Sequence, residues 1–224
     1  MKAFALWLGC LALGLQASAP PGAEIARKFV PGDSVRYVVR VELERGEAVS
    51  AVESRVLESV EKVDDEGKAT VRTRYLSVKV GSAASGPRPD DRTVYGPDGS
   101  VLSVEGGDAD ALRLARALAV PGVPERGGTW TFEQRPVSQP PAPLARTVCT
   151  LDGTEEVGGV QAAKVRFEFR EVPAAGEPLI AKGVYWLAFQ GGRLLRLEAE
   201  LSGIPGLPEK DAKARVTVEL DQER

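Results

Sequence analysis

The sequence predicts an all-β fold with one short helix, an antiparallel half-barrel or open barrel of about ten or eleven strands. Three observations predict it: apolar residues that alternate with period two, glycines where the alternation breaks, and a single stretch with helical spacing. Val35, Tyr37, Val39, Val41 and Leu43 share one side of a strand, opposite Arg36, Arg40, Glu42 and Glu44, with Val38 as the one exception. Ala163, Val165, Phe167 and Phe169 oppose Lys164, Arg166, Glu168 and Arg170 in the same way. Leu195, Leu197, Ala199 and Leu201 repeat the pattern, as do Val216, Val218 and Leu220. Side chains alternate across a pleated strand, so each segment has one buried and one wet face. Crossover helices would cover both faces of a parallel sheet, so a sheet with a wet face is antiparallel.

The turns agree with this reading. Arg45-Gly46, Glu66-Gly67, Asp98-Gly99, Gly158-Gly159 and Gly191-Gly192 each separate two strand-like runs, where glycine supplies the positive φ that hairpins need. Gly81 to Asp91 and Pro136 to Pro143, rich in proline or small residues, read as surface loops. The helix is expected at about 108–119. Asp108 can cap it, Ala111, Leu112, Ala115, Leu118 and Ala119 share a face, and Pro121 stops it.

Residues 1–19 have the anatomy of a secretory signal peptide. Lys2 is followed by an apolar run from Ala3 to Leu15 and by the small-x-small Ala17-Ser18-Ala19, too short for a permanent membrane span. Pro20 hinders cleavage after Ala19, which leaves cutting near Ala17 or Ala23 open. Cys10 follows Leu8-Gly9 as a lipobox cysteine would. A lipobox closes the apolar run, however, whereas Leu11, Leu13 and Leu15 continue it, so an ordinary apolar-region cysteine is expected. The mature protein is placed in the periplasm or the medium. Residues 24–224 are expected to form a single β domain. Its halves, about 29–105 and 128–221, are joined by the helix and share a weak repeat at an offset near 93–94 residues, which either relates them or reflects the chance likeness of alternating β sequences. Two small domains hinged near 121–127 are the alternative.

Composition excludes several functions. Losing residues 1–19 removes Lys2 and no acid, so the formal charge moves from −3 to −4, with no basic footprint for nucleic acid. No second apolar stretch approaches a transmembrane length. The chain has no histidine, which removes Ser-His-Asp and Cys-His catalysis and the commonest metal ligand. Cys149, the only cysteine after the signal, reads as a small apolar residue in a strand. The acidic clusters Asp64-Asp65-Glu66 and Asp90-Asp91 lack the ligand spacing of a calcium loop. Ser82 and Ser85 lack the context of a nucleophile elbow. No catalytic residue, metal ligand or cofactor is therefore expected.

The aromatic residues supply the candidate binding set. Trp130 and Phe132 alternate in a strand after Gly127-Gly128, and Tyr185 and Trp186 stand near Phe189. Such rings can floor a groove for an apolar ligand, although packing a core is their commoner use. Tyr185 and Trp186 are adjacent, so they point to opposite faces, and one of them must be wet or covered by something else.

Phe29-Val30-Pro31-Gly32-Asp33 before the first strand, the secretory start, the successive β runs and the internal helix together resemble the half-barrel proteins of the bacterial envelope that carry lipoproteins or lipids. The stretch from Pro121 to Trp130, with Pro124 and Gly128, is similar to one found in uncharacterised secreted bacterial β proteins. The resemblance is one of layout and transfers no functional residue. It implies a non-catalytic envelope protein that binds or carries an apolar or lipid ligand. An envelope scaffold with a protein partner and no small ligand is the alternative. A hollow, greasy interior would separate the first from the second.

Overall fold

A computed structural model describes residues 24–46, 48–86, 88–138, 141–172, 177–207 and 212–221. The expected signal peptide and Cys10 lie outside the described residues. In chain order the strands are β1 (Ser34–Arg45), β2 (Ala48–Val63), β3 (Ala69–Val80), β4 (Ala83–Ala84), β5 (Asp91–Tyr95) and β6 (Val101–Glu105). Helix α1 (Ala109–Ala117) follows, then β7 (Thr129–Gln134), β8 (Val137–Ser138), β9 (Pro141–Ala142) and β10 (Leu144–Val157). The chain continues through β11 (Val160–Val172), β12 (Ile180–Ala188), β13 (Leu194–Ser202) and β14 (Lys213–Leu220).

Eleven strands follow one another in a single antiparallel sheet, β6-β5-β3-β2-β1-β14-β13-β12-β11-β10-β7, with β4 beside β3 and a separate β8-β9 ribbon. The sheet is nearly closed into a barrel and leaves an unsealed seam. Strand β1 lies between β2 and β14, so the alternating faces of the three are in phase: Tyr37 stands opposite Val56 and Leu220, and Val41 opposite Val52 and Val216. A slip of one residue would turn the whole apolar row outward, which is why this register is strongly specified.

The core lies on the inner face. Phe167, Phe169, Tyr185, Leu187 and Leu197 are each 2% exposed or less, and with Val165, Cys149 and Ala181 they pack β10 to β13 solid. Outside, charged side chains pair across strands, as Arg40 does with Glu53 and Glu219 at 3.0 Å and Arg166 with Asp152 at 2.6 Å. Exposed pairs of this kind contribute less than about 1 kcal/mol each.

Helix α1 fills the seam. The Asp108 carboxylate caps it by accepting from the Ala111 N–H at 2.9 Å, and Asp110 and Arg116 sit at the ends that the helix dipole favours. Leu112 and Ala119 pack against Val101 of β6 and Ala142 of β9. The Pro136–Pro143 stretch, expected as a plain loop, thus carries the β8-β9 ribbon, because α1 needs an apolar cover on that side. Arg116, 1% exposed, donates to the carbonyls of Arg135 at 2.9 Å and Pro143 at 2.7 Å. It closes the chain around the seam without a carboxylate partner in direct contact.

Candidate functional site

The five aromatic residues singled out in the sequence do not converge. Trp130 and Phe132 lie on β7, where they stand opposite Cys149 and Thr147 of β10, and Trp130 packs onto the main core. Tyr185 is core: its ring lies 5.9 Å from that of Phe167, and its hydroxyl donates to the Pro121 carbonyl at 3.0 Å. Burial holds the Tyr185 phenol well above its usual range. Trp186 points to the other face, as its neighbour's position requires, yet is only 5% exposed. It is covered by Lys164 and Arg196, each 5.4 Å from the ring centre, while its Nε1 donates to Glu155 at 3.2 Å. Phe189 is the one of the five that lines the cavity at the lip of the barrel.

That cavity, about 570 Å³, lies at the lip of the barrel where β1, β11 and β13 begin and β2, β12 and β14 end. A strap formed by residues 24–32 runs along it. The strap is anchored at Ile25, which exchanges backbone hydrogen bonds with Val123 at 2.9 and 2.8 Å. Farther on, the Lys28 N–H donates to Gly191 at 3.4 Å and the Gly32 N–H to Val60 at 2.9 Å. Two glycines make room for this course. A Cβ on Gly122 would lie 2.5 Å from the Ile25 oxygen, and one on Gly192 would lie 2.1 Å from the Ala26 oxygen.

The walls are mainly apolar: Phe29, Val35, Val60, Val71, Leu194, Leu195 and Leu220, with Tyr37 among them. The Tyr37 hydroxyl donates to the Leu194 carbonyl at 3.2 Å, and burial and the Glu58 carboxylate push its pKa upward against Arg27 and Arg193. Arg27 donates to the Glu58 carboxylate at 2.8 Å. Its guanidinium lies 5.0 and 5.2 Å from the stacked rings of Phe29 and Tyr95. Burial alone would lower the Arg27 pKa, but the Glu58 carboxylate together with Tyr95 and Tyr37 outweighs it and the net shift is upward. Lys28, Asp33, Gln161, Gln190 and Arg193, with the hydroxyls of Ser34 and Ser59, supply the remaining polar groups. The arrangement can shelter an apolar body and meet a polar end at the mouth.

No protein-family model matches the chain, and no curated protein matches it. Among solved structures it is similar to an exported protein with a YmcC-like fold from Bacteroides fragilis, with a TM-score of 0.35 and 13% identity over 88% of this chain and 100% of that one. A DUF1329 family protein from Desulfovibrio piger gives a TM-score of 0.30 and 10% identity, covering 86% of this chain and 88% of the other. An outer membrane lipoprotein-sorting protein domain from Vibrio parahaemolyticus gives 0.28 and 10%, covering 88% and 89%.

Sequence reasoning missed the strap, Arg27 and Glu58. One signal for Glu58 was present. Val52, Ser54, Val56, Glu58 and Val60 alternate along β2, so Glu58 falls on the apolar side, opposite Val35. An acid at such a position needs a partner, and Arg27 provides it. Among the described residues no helix is long and apolar enough to cross a membrane, and no group of three or more acids or cysteines is placed to hold a metal ion.

Proposed function

We propose that the protein works outside the cytoplasm as a non-catalytic binding protein that takes an apolar or amphipathic small molecule into the cavity beside the strap. One observation carries this reading: a cavity of about 570 Å³ at the lip is walled mainly by aliphatic and aromatic side chains. Ligand pockets fall between roughly 300 and 1,000 Å³ and combine apolar walls with a few polar groups, as this one does. The secretory start of the sequence supports the compartment.

The test is saturable binding of the neutral, environment-sensitive dye N-phenyl-1-naphthylamine, together with mass spectrometry of an organic extract of the purified protein. One dye per chain is expected, with binding abolished by Val60→Trp, which fills the cavity. A wild-type protein that binds no dye and releases no extractable molecule would sink the reading.

A further inference from the structure

We propose that the occupant is a single-chain amphiphile with an anionic head, its chain held between the strap and the β12–β13 turn and its head met by Lys28 and Arg193 at the mouth. This rests on the binding reading above and names the class of ligand for that same site.

Volume sets the first limit. A methylene takes about the space of a water molecule in the liquid, roughly 30 Å³, so one chain of about a dozen carbons or a little more fits. The cavity of about 570 Å³ is therefore sized for at least one such tail.

Charge sets the second limit. Five ionisable side chains with full charge border the cavity: Arg27, Lys28, Arg193, Asp33 and Glu58. Arg27 and Glu58 neutralise each other at 2.8 Å. Asp33 is then the one acid beside two cations, and neither Lys28 nor Arg193 forms an ion pair with a described residue. The mouth is left with a positive balance in a protein whose overall charge is negative. The Tyr37 hydroxyl is itself committed to the Leu194 carbonyl, which leaves Lys28 and Arg193 as the unpaired charged donors at the mouth, beside the neutral Gln161, Gln190, Ser34 and Ser59. An anionic group placed there keeps its charge near solvent while its tail replaces water against Val35, Leu195 and Leu220.

The experiment is displacement of N-phenyl-1-naphthylamine at low ionic strength by three ligands of equal chain length: myristate, myristyl alcohol and tetradecyltrimethylammonium. Each is used below the concentration at which it forms micelles. Myristate is expected to bind about tenfold more tightly than the alcohol, with the ammonium weakest, and added salt should narrow the difference. The double variant Lys28→Gln/Arg193→Gln, changed at two exposed side chains, should bring myristate to the level of the alcohol and leave the alcohol unchanged. Equal displacement by all three, or a double variant that still prefers myristate, would overturn the head-group assignment while the cavity still binds. Displacement by dimyristoylphosphatidylglycerol as effective as that by myristate would overturn the single-chain limit. A wild type that binds no dye and releases no extractable molecule would overturn this inference together with the binding reading.

Discussion

Arg116 and Gln134 hold each other through their main chains. The Gln134 Nε2 donates to the Arg116 carbonyl at 2.8 Å, and the Arg116 guanidinium donates to the Gln134 carbonyl at 2.6 Å. The Gln134 Oε1 also accepts from the Val101 N–H at 3.2 Å, so one side chain spans the unsealed seam from β7 to β6 and touches α1 on the way. Replacing it strands buried polar groups on both sides, at about 1–3 kcal/mol each. Gln134→Leu should therefore lower stability by roughly 2–4 kcal/mol in urea unfolding. A shift under about 0.5 kcal/mol would show that the seam does not depend on this amide.

Behind the seam, Glu171 is 2% exposed and accepts two-pronged from Arg113, with its shortest contact at 2.6 Å, and from the Leu179 N–H at 3.0 Å. Removing one member of a buried pair costs about 3–5 kcal/mol, whereas replacing both with apolar groups can come close to neutral. Arg113→Met is expected to be severely destabilising, and Arg113→Met/Glu171→Leu to recover part of the loss, the unpaired Leu179 N–H keeping the rest. The exposed Arg166–Asp152 pair is the control: Asp152→Asn should change stability by less than about 1 kcal/mol. A double-mutant cycle with no coupling between Arg113 and Glu171 would contradict the assignment.

Alkali should weaken the fold from within. Burial pushes the Cys149 thiol from 9.0 up to about 11, partly offset by the Tyr185 hydroxyl, and burial and Asp91 push Tyr75 from 10.0 to about 12. Both groups are neutral in their protonated form and have raised pKa values in the folded state. The folded chain therefore keeps protons that the unfolded chain gives up. Their contribution is complete below pH 9 and is lost as pH rises toward 11 for Cys149, and between 10 and 12 for Tyr75. The slope for one such proton is at most about 1.4 kcal/mol per pH unit. Urea midpoints measured from pH 8 to 11 should fall, and Cys149→Ala should flatten the fall between 9 and 11. Equal slopes for both proteins would exclude the thiol as a source.

Gly192 has φ of 60°, and a Cβ there would meet the Ala26 oxygen at 2.1 Å. Gly192→Ala must therefore displace the strap or strain the turn, at a cost of about 1–3 kcal/mol. Faster hydrogen exchange is expected at the Ile25 and Lys28 amides, with weaker dye binding at the lip. An unchanged exchange rate would mean that the strap does not depend on this approach.

Much of the sheet could be read from the chain because one face is wet. Val35 to Leu43, Ala163 to Phe169 and Val216 to Leu220 alternate where the structure places β1, β11 and β14, and Asp108 caps the helix as its position predicts. The candidate site was harder to see for a physical reason. Large rings bury area wherever the core needs it, so Tyr185 and Trp130 reported packing, and only Phe189 reached the cavity. The cavity is assembled from short pieces of several segments, each too brief to carry a period. The Ile25–Val123 bridge and the Lys28–Gly191 contact join residues whose distance in sequence leaves no local trace.

The strap's anchors have a temporal consequence. A chain made from its amino end delivers Ile25 and Lys28 long before Val123 and Gly191 exist to receive them. The lip compartment cannot be complete until β12, β13 and β14 have joined the sheet. A molecule seated there would fasten the earliest-made segment to one of the latest, and so would act on the finishing stage of folding rather than on its nucleus.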